Sequence, residues 1–323
     1  MARPLRVGVF VPQFEGWLEG ATPRWDDIVQ FAQHAESMGL DSLWLADHML
    51  LRIRDHWAVR VHEAGRVTEE PDRGPWECWT LLGALAASTS EITVGTLVTP
   101  TRFRNPGLLA KMATTVDEIS GGRLVFGIGS GGTGTEYRQY GYPTDNIVSR
   151  FEDQLAIIAP LLRTGSVDFE GRYHAAHDCA LRPRGPRPAG PPILIAASKP
   201  RMLRLTARYA DFWNGAWCHT ADDAATRVAS IQDACAQFER DPSTLGLTVS
   251  MMIDLAPPAE GKQANWVTAY RQALDPINGS PAAIADTLHG IAATGISEVQ
   301  IWLEPCSLRG LNMLVPVLEE LNR

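Results

Sequence analysis

Short apolar segments alternate with longer helical segments along the chain, and this alternation limits the possible folds more than any other feature. Strands separated by helices run parallel, because each helix carries the chain back to the starting edge of the sheet. Eight such units favour a closed (β/α)8 barrel, the TIM barrel, over an open sheet. The predicted strands are residues 6–13, 42–47, 91–99, 123–129, 193–198, 212–217, 246–256 and 298–304.

Two segments interrupt the alternation and are predicted to be loop excursions. Residues 49–75 form a long polar segment. Residues 166–192 are rich in Pro and Arg and lack helical periodicity, so we expect a β-hairpin there. No Gly/Ser-rich linker divides the chain. We therefore expect a single α/β domain over residues 1–323 that carries both insertions.

The overall composition argues against several classes of partner. The net charge is −8 at pH 7, whereas surfaces for nucleic acid or anionic membranes need clustered Lys and Arg. No apolar run approaches the roughly 18 residues needed to span a membrane, and the N-terminal segment is typical of a first strand rather than a signal peptide. Five scattered cysteines without a C-x-x-C motif indicate reduced thiols, so we expect a cytoplasmic protein.

The barrel prediction indicates where chemistry should lie, because the active sites of such barrels form where the strands end. The second strand ends in Asp47 and His48. A histidine can give or take a proton near neutral pH. An isolated Asp-His pair is more often part of a capped loop, so a functional interpretation depends on the other strand ends.

The third strand ends in a polar turn before a helix that begins with proline. Thr99 and Thr101 are hydrogen-bond donors, and both arginines that follow, Arg102 and Arg104, could contact an anion. Taken alone, such a segment is most often a loop that leads into a helix beginning with proline.

The fourth strand ends in a glycine-rich turn. Gly127, Gly129 and Gly132 match the dinucleotide-binding pattern G-x-G-x-x-G. The pattern follows the fourth strand rather than the first, and no clear helix comes after it, so it is weak evidence for a nicotinamide site. The missing side chains still allow the backbone to approach a flat ring or a phosphate closely.

The fifth strand leads into a helix whose start could bind an anion. Ser198 precedes the helix, and Lys199 and Arg201 add positive charge beside its free N–H groups. The alternative is that Ser198 only caps the helix. Together, the four strand ends supply what a planar cofactor with a phosphate tail needs: a proton-handling group, close backbone approach and an anion site.

At these motifs the sequence resembles the bacterial luciferase-like family of flavin and deazaflavin oxidoreductases. The resemblance implies the eight-stranded barrel, a homodimer, and FMN or the deazaflavin coenzyme F420 bound at the C-terminal mouth. The third and fourth strand ends are more similar to the deazaflavin-using branch. The segments that carry the resemblance are GLDSLWLADH, VGTLVTPTRFRNPGLLAKMATTVDEISGGRLVFGIGSGG, EYRQYG, RFEDQLAII and PPILIAASKPRMLRLTARYADFWN.

The resemblance implies roles for individual residues. In the deazaflavin branch, residues matching Asp47 and His48 contact the deazaflavin, and the histidine transfers a proton. The turn matching Leu97 and Val98 often carries a non-proline cis peptide bond that supports the ring face. With the glycine turn and the fifth strand end included, the remaining expected cofactor contacts are Thr99, Ser130, Gly131, Gly132, Ala197, Ser198 and Lys199.

Two positions depart from the pattern of the branch that acts on sugar phosphates. Enzymes of that branch have an acidic catalytic base at the position of Gly132. They also have a tryptophan shortly after the Asp-His pair, whereas residues 49–55 of this chain contain none. We therefore expect a different substrate. Glu136 and Tyr137 match a family feature for which we expect a structural role.

These observations lead to an expected function. We expect an F420-dependent oxidoreductase that transfers a hydride between C5 of the coenzyme and a small electrophilic organic substrate, such as an enone, an imine or a nitroaromatic. His48 would handle the proton, and Asp47 would orient the histidine or the cofactor. An FMN-dependent monooxygenase supplied by a separate flavin reductase is the main alternative, followed by a non-catalytic flavin-binding barrel and a nicotinamide enzyme.

Two further expectations concern the excursions. Arg52, Arg54 and Arg60 would give the anionic coenzyme a basic rim. The His-Ala-Ala-His segment at residues 174–177 lacks a nearby acidic cluster, so we expect no metal site there.

Overall fold

The computed structural model describes residues 3–52, 72–132, 134–256 and 275–323. Every strand predicted for the barrel is present. In chain order the strands are β1 (Arg6–Phe10), β2 (Ser42–Leu45), β3 (Thr93–Thr96), β4 (Thr99–Pro100), β5 (Leu124–Gly129), β6 (Ser166–Glu170), β7 (Ala175–Ala180), β8 (Ile193–Ala196), β9 (Phe212–Gly215), β10 (Gly246–Asp254) and β11 (Glu298–Glu304).

The parallel strands close into a barrel, as predicted. Their order is β3-β2-β1-β11-β10-β9-β8-β5-β4, and a further pairing of β3 with β5 joins the two ends of the sheet. All these pairings are parallel, so the C-terminal ends of the strands surround one mouth. A closed barrel is not a doubly wound dinucleotide-binding sheet, which removes the structural basis for the nicotinamide alternative.

Within the described residues, helices separate the strands of the barrel as the alternation predicts, and one short helix is added. In chain order they are α1 (Trp25–Ser37), α2 (Cys78–Ser88), α3 (Pro106–Ile119), α4 (Thr135–Gln139), α5 (Ile147–Thr164), α6 (Pro200–Tyr209), α7 (Ala221–Ala236), α8 (Pro281–Ala292) and α9 (Leu308–Leu321). The addition is α4, which is too short to give a periodic signal. No helix in the described part of the chain is long and apolar enough to cross a membrane.

Local sequence explains how the helices form and pack. The side chain of Asn105 accepts from the N–H groups of Gly107 and Leu108, and Pro106 supplies the first helical residue of α3. The helix α1 buries an apolar stripe against the barrel, as its spacing of three and four predicts. That stripe consists of Ile28, Phe31, Ala32 and Ala35.

The second excursion carries the predicted hairpin, in which β6 and β7 pair antiparallel. Of the first excursion, residues 53–71 lie outside the described part of the chain, and with them Arg54 and Arg60. The remaining arginine of the expected basic rim, Arg52, is ion-paired with Asp72. All five cysteines are free thiols.

The glycines of the G-x-G-x-x-G pattern have a packing role in the barrel wall. Gly127 lies within β5, and a Cβ atom there would come 1.8 Å from the carbonyl oxygen of Thr96. At Gly129 a Cβ would come 2.9 Å from a methyl group of Val98. The first two glycines therefore allow β5 to pack closely on its neighbours.

Candidate functional site

A cavity of about 430 Å³ lies at the C-terminal mouth of the barrel. Its lining residues come from β1, β8, β9, β10 and β11 and from the segments that follow β2, β3 and β5. The strand ends singled out in the sequence therefore share one cavity, as expected for a barrel enzyme.

His48 lines this cavity and is held by Glu136. The imidazole Nδ1 lies 3.0 Å from Glu136 Oε1. The other carboxylate oxygen accepts from the backbone N–H groups of Met49 at 2.8 Å and Leu50 at 3.3 Å. Glu136 lies in the first turn of the short helix α4, so this helix fixes both the imidazole and the loop behind it.

The protonation of Glu136 determines the tautomer of His48. Burial alone would raise the pKa of Glu136, but the hydrogen bond and the charge of His48, with the N–H groups of Met49 and Leu50, hold it below its usual value of 4.5. Since an ionised carboxylate only accepts hydrogen bonds, Nδ1 of His48 carries the donated hydrogen. Glu136 therefore does more than the structural role expected for it, because it also orients the imidazole of His48.

Asp47 is fully buried beside the cavity and is not among the described residues that line it. Its Oδ2 lies 2.5 Å from Nη1 of Arg104, whose Nη2 also lies 2.6 Å from Glu77 Oε1. The hydroxyl of Thr99 bonds to Asp47 and accepts from Trp79 Nε1 at 3.0 Å. Glu136 holds Nδ1 of His48. The expected role of Asp47, to orient the histidine or the cofactor, stays a prediction.

Asp47 and Arg104 form a buried ion pair in which each charge favours the ionised form of the other residue. Burial raises the pKa of Asp47, and the guanidinium of Arg104 opposes that rise. Burial alone would lower the pKa of Arg104, but Asp47 raises it above the usual value, so Arg104 stays charged. The anions that Arg104 contacts are therefore the carboxylates of Asp47 and Glu77 rather than an external ligand.

Arg102 has a similar internal role at the glycine turn. Its guanidinium donates to the carbonyl of Ser130 at 3.0 Å and to the carbonyls of Gly132 and Pro143. It is buried, so it shapes the turn rather than meeting an external anion, which corrects the expectation.

The glycine turn forms one side of the cavity. Gly131 and Gly132 both line it, and the N–H of Gly132 donates to the hydroxyl of Tyr137 at 3.0 Å. Gly131 has a φ of +71°, and a Cβ atom there would come 2.2 Å from that hydroxyl. Glycine is required here by conformation and by space.

The turn after β3 completes this side. Leu97 and Val98 line the cavity, and the peptide bond between them is cis, as the resemblance implies. The glycine turn and this turn together give the cavity a side with few protruding polar groups.

The fifth strand end reaches the same mouth. Ala196 lines the cavity, Ala197 is buried, and Ser198 and Lys199 are exposed. The helix α6 begins at Pro200 and has no side-chain cap, so Ser198 does not act as its N-cap. Its first N–H groups could thus meet an anion from outside the chain.

Aromatic residues form the opposite side of the cavity, and the strand-end argument did not find them. We call this group the aromatic wall; ring centroids of Phe10 and Trp302 are 5.7 Å apart, and those of Trp217 and Trp302 are 5.9 Å apart. Four residues that line the cavity form it: Phe10, Phe14, Trp217 and Trp302. A flat ligand could lie between this wall and the glycine turn.

Comparison with known families is decisive for the class of protein. The model of the family described as luciferase-like monooxygenase matches residues 5–297. The chain belongs to this family. It is therefore an oxidoreductase of the luciferase-like family, whose fold is the closed barrel described above.

Named relatives of this luciferase-like chain include a ketoreductase and an F420-dependent dehydrogenase. Over 220 residues, or 66% of the chain, it is 32% identical to a phthiodiolone/phenolphthiodiolone dimycocerosates ketoreductase of Mycobacterium sp. strain JLS. Over 190 residues, or 57% of the chain, it is 32% identical to an F420-dependent glucose-6-phosphate dehydrogenase of Amycolatopsis mediterranei. The matched regions span only 57% and 51% of those relatives, respectively.

Solved structures show the same fold at low sequence identity. An F420-dependent secondary alcohol dehydrogenase in complex with an F420-acetone adduct superposes with a TM-score of 0.75 at 15% identity, covering 98% of both chains. Monooxygenase RslO1 from Streptomyces bottropensis superposes with a TM-score of 0.75 at 18% identity. The match covers 99% of this luciferase-like chain and 100% of the RslO1 chain.

Proposed function

We propose that this luciferase-like protein is an F420-dependent oxidoreductase that transfers a hydride between the deazaflavin C5 and a small electrophilic organic substrate. One observation carries the proposal: His48 stands in the wall of the barrel-mouth cavity with its Nδ1 fixed by a buried carboxylate. Such a histidine is suited to proton transfer at near-neutral pH.

The residues present fit a tricyclic cofactor with an anionic tail. The cavity of about 430 Å³ lies between the glycine turn and the aromatic wall. The uncapped start of α6, with Ser198 and Lys199 beside it, suits the phosphate. When bound, F420 supplies or takes up the hydride. The proposed cofactor contacts remain Asp47, Leu97, Val98, Thr99, Ser130, Gly131, Gly132, Ala197, Ser198 and Lys199.

The chain itself handles the proton that accompanies the hydride. His48 supplies it to the substrate oxygen or nitrogen, or accepts it in the reverse direction. Glu136 stabilises the protonated imidazole and keeps its plane fixed, so the proton is moved without reorientation of the ring. Arg104 holds Asp47, the residue before His48, in place.

Substrate charge can also be inferred from the lining. No lysine or arginine is among the described residues that line the cavity, and Gly132 stands where sugar-phosphate enzymes of this branch have an acid. A neutral substrate is therefore favoured over a sugar phosphate. The name of the ketoreductase relatives supports a carbonyl compound.

Titration with each cofactor tests the proposal. Because Trp217 and Trp302 line the cavity, ligand binding should quench tryptophan fluorescence. We expect F420 to bind at least about tenfold more tightly than FMN, and reduced F420 to be oxidised anaerobically by members of a ketone, enone and nitroaromatic panel. Tight FMN binding with oxygen consumption would instead support the monooxygenase with a flavin reductase as partner.

The remaining alternative and the assembly state have their own tests. Tight F420 binding without turnover on any member of the panel would favour a non-catalytic carrier. We also propose that the protein acts as a homodimer, which light scattering on the purified chain would check.

A further inference from the structure

Asn214, on β9, has a buried acceptor atom without a hydrogen-bond partner in the described part of the chain. The side chain is fully buried and lines the cavity. Its Nδ2 donates to Gln300 Oε1 at 2.9 Å and to Thr248 Oγ1 at 3.1 Å. Among the residues that the structure describes, no group donates a hydrogen bond to its Oδ1. A buried polar atom without a partner is costly, so its presence in a cavity wall requires an explanation.

The surrounding hydrogen bonds fix which end of the amide faces the cavity. The hydroxyl of Thr248 donates to the carbonyl of Trp213 at 3.1 Å, so it can only accept from Asn214. If the amide were turned over, Oδ1 would meet the Thr248 oxygen without a hydrogen between them. The NH2 group of Asn214 therefore points into the barrel wall.

Gln300 fixes the same orientation from the other side. Its Nε2 donates to Glu298 Oε1 at 3.4 Å, and that oxygen also accepts from Ser42 Oγ at 2.6 Å. Gln300 must then present its own oxygen to Asn214. A buried carboxylate thus sets the orientation of two amides in series and leaves Asn214 Oδ1 as an acceptor.

We propose that Asn214 Oδ1 is a binding subsite of the cavity for a neutral N–H or O–H donor of the bound molecule. This inference rests on the proposed function, since it concerns the ligand of the same cavity. The donor can come from the imide N–H of the deazaflavin or flavin ring, or from a hydroxyl or amide of the substrate. Both sources present the same chemistry to the same oxygen.

The first experiment compares two variants of the same hydrogen-bond network. Asn214→Ala removes the acceptor, whereas Thr248→Val removes one bond of the network and leaves Asn214 held by Gln300. Thr248 is not among the described residues that line the cavity. If the ring is the donor, we expect Asn214→Ala to weaken F420 binding about tenfold, measured by fluorescence, and Thr248→Val to change it less than about twofold.

Wild-type protein provides a second measurement that does not depend on the folding of a variant. A ring analogue methylated at the imide nitrogen cannot donate. If the ring is the donor, methylation weakens binding to the wild type about tenfold and binding to Asn214→Ala hardly at all. If the substrate is the donor, Asn214→Ala leaves ring affinity unchanged but raises KM for a hydroxylated substrate, and not for its methyl ether, with kcat nearly constant.

Two outcomes would decide against the subsite. The subsite is overturned if Asn214→Ala and Thr248→Val have the same ring affinity and the same KM, and ring methylation does not affect binding to the wild type. This outcome would leave the proposed function intact. Failure of wild-type protein to bind either cofactor would overturn the proposed function, and the inference with it.

Discussion

His48 Nδ1 and Glu136 Oε1 meet at 3.0 Å although the two residues are 88 positions apart in the chain. The histidine follows β2 and the glutamate lies in α4, beyond the glycine turn. Their contact therefore joins two sides of the cavity mouth. It places a buried negative charge behind the one imidazole among the described lining residues.

Removing the imidazole should affect turnover rather than binding. We expect His48→Ala to retain cofactor affinity within a few-fold and to lower kcat by roughly 100-fold or more, because general acid–base catalysis contributes on this scale. Steady-state kinetics together with fluorescence titration would measure both. His177→Ala is a suitable control, because His177 is exposed on the β6–β7 hairpin. Wild-type turnover in His48→Ala would remove His48 from the mechanism.

Changing the carboxylate to an amide should affect both activity and acid stability. Glu136→Gln keeps the shape of the side chain but loses the charge that supports His48, so kcat should fall. We also expect the free energy of unfolding at pH 7 to fall by about 1–3 kcal/mol, as for buried hydrogen bonds to a charged group.

The pH dependence of that difference follows from the pKa of Glu136. The folded protein holds this pKa below 4.5, so the stabilisation is complete above that pH and is lost as the pH falls through the lower folded value. The difference in stability between wild type and Glu136→Gln should therefore shrink below about pH 4.5, measured by urea unfolding at several pH values. A difference that stays constant down to pH 3 would contradict the assigned charge.

The sequence predicts the barrel because its strands are compact apolar runs and longer helical segments, such as α1 with its apolar stripe, separate them. The position of His48 is predictable for the same reason, since a strand end in a parallel barrel faces the mouth. The partner of His48 is not predictable from spacing, because α4 is too short to give a helical pattern. The resemblance points to Glu136 but not to its hydrogen bond.

Charged residues near the site illustrate a second limit. Arg102 and Arg104 have the composition of an anion site, yet both guanidinium groups bond to groups of the protein. Which arginine is buried depends on how the loops pack, and a single sequence does not encode that in a local pattern. The orientation of the Asn214 amide is likewise not predictable from a local pattern, because Glu298 sets it through Gln300.

The glycine turn should tolerate a methyl group at one position and not at its neighbour. In Gly131→Ala the new Cβ would come 2.2 Å from the Tyr137 hydroxyl at a φ of +71°, so we expect a loss of about 2–4 kcal/mol and weaker cofactor binding. In Gly132→Ala the nearest atoms would be 4.0 Å away, and stability should change by less than about 0.5 kcal/mol. Urea unfolding of both variants would test the contrast, and equal losses would contradict it.

Arg104 should be essential for stability because it neutralises a buried carboxylate. The Asp47 side chain is 1% exposed, so Arg104→Leu leaves a charge with no counter-ion and should cost about 3–5 kcal/mol. Glu77→Gln is the matched control, since Glu77 binds the same guanidinium from a side chain that is 45% exposed, and should cost less than about 1 kcal/mol.

The cost of losing Arg104 should depend on pH. Without Arg104 the pKa of Asp47 rises further, so folding takes up a proton. The deficit of Arg104→Leu should then be largest at neutral pH and shrink as the pH falls, because protonation removes the buried charge. A deficit that does not depend on pH would show that the lost packing of the arginine, and not the charge of Asp47, is responsible.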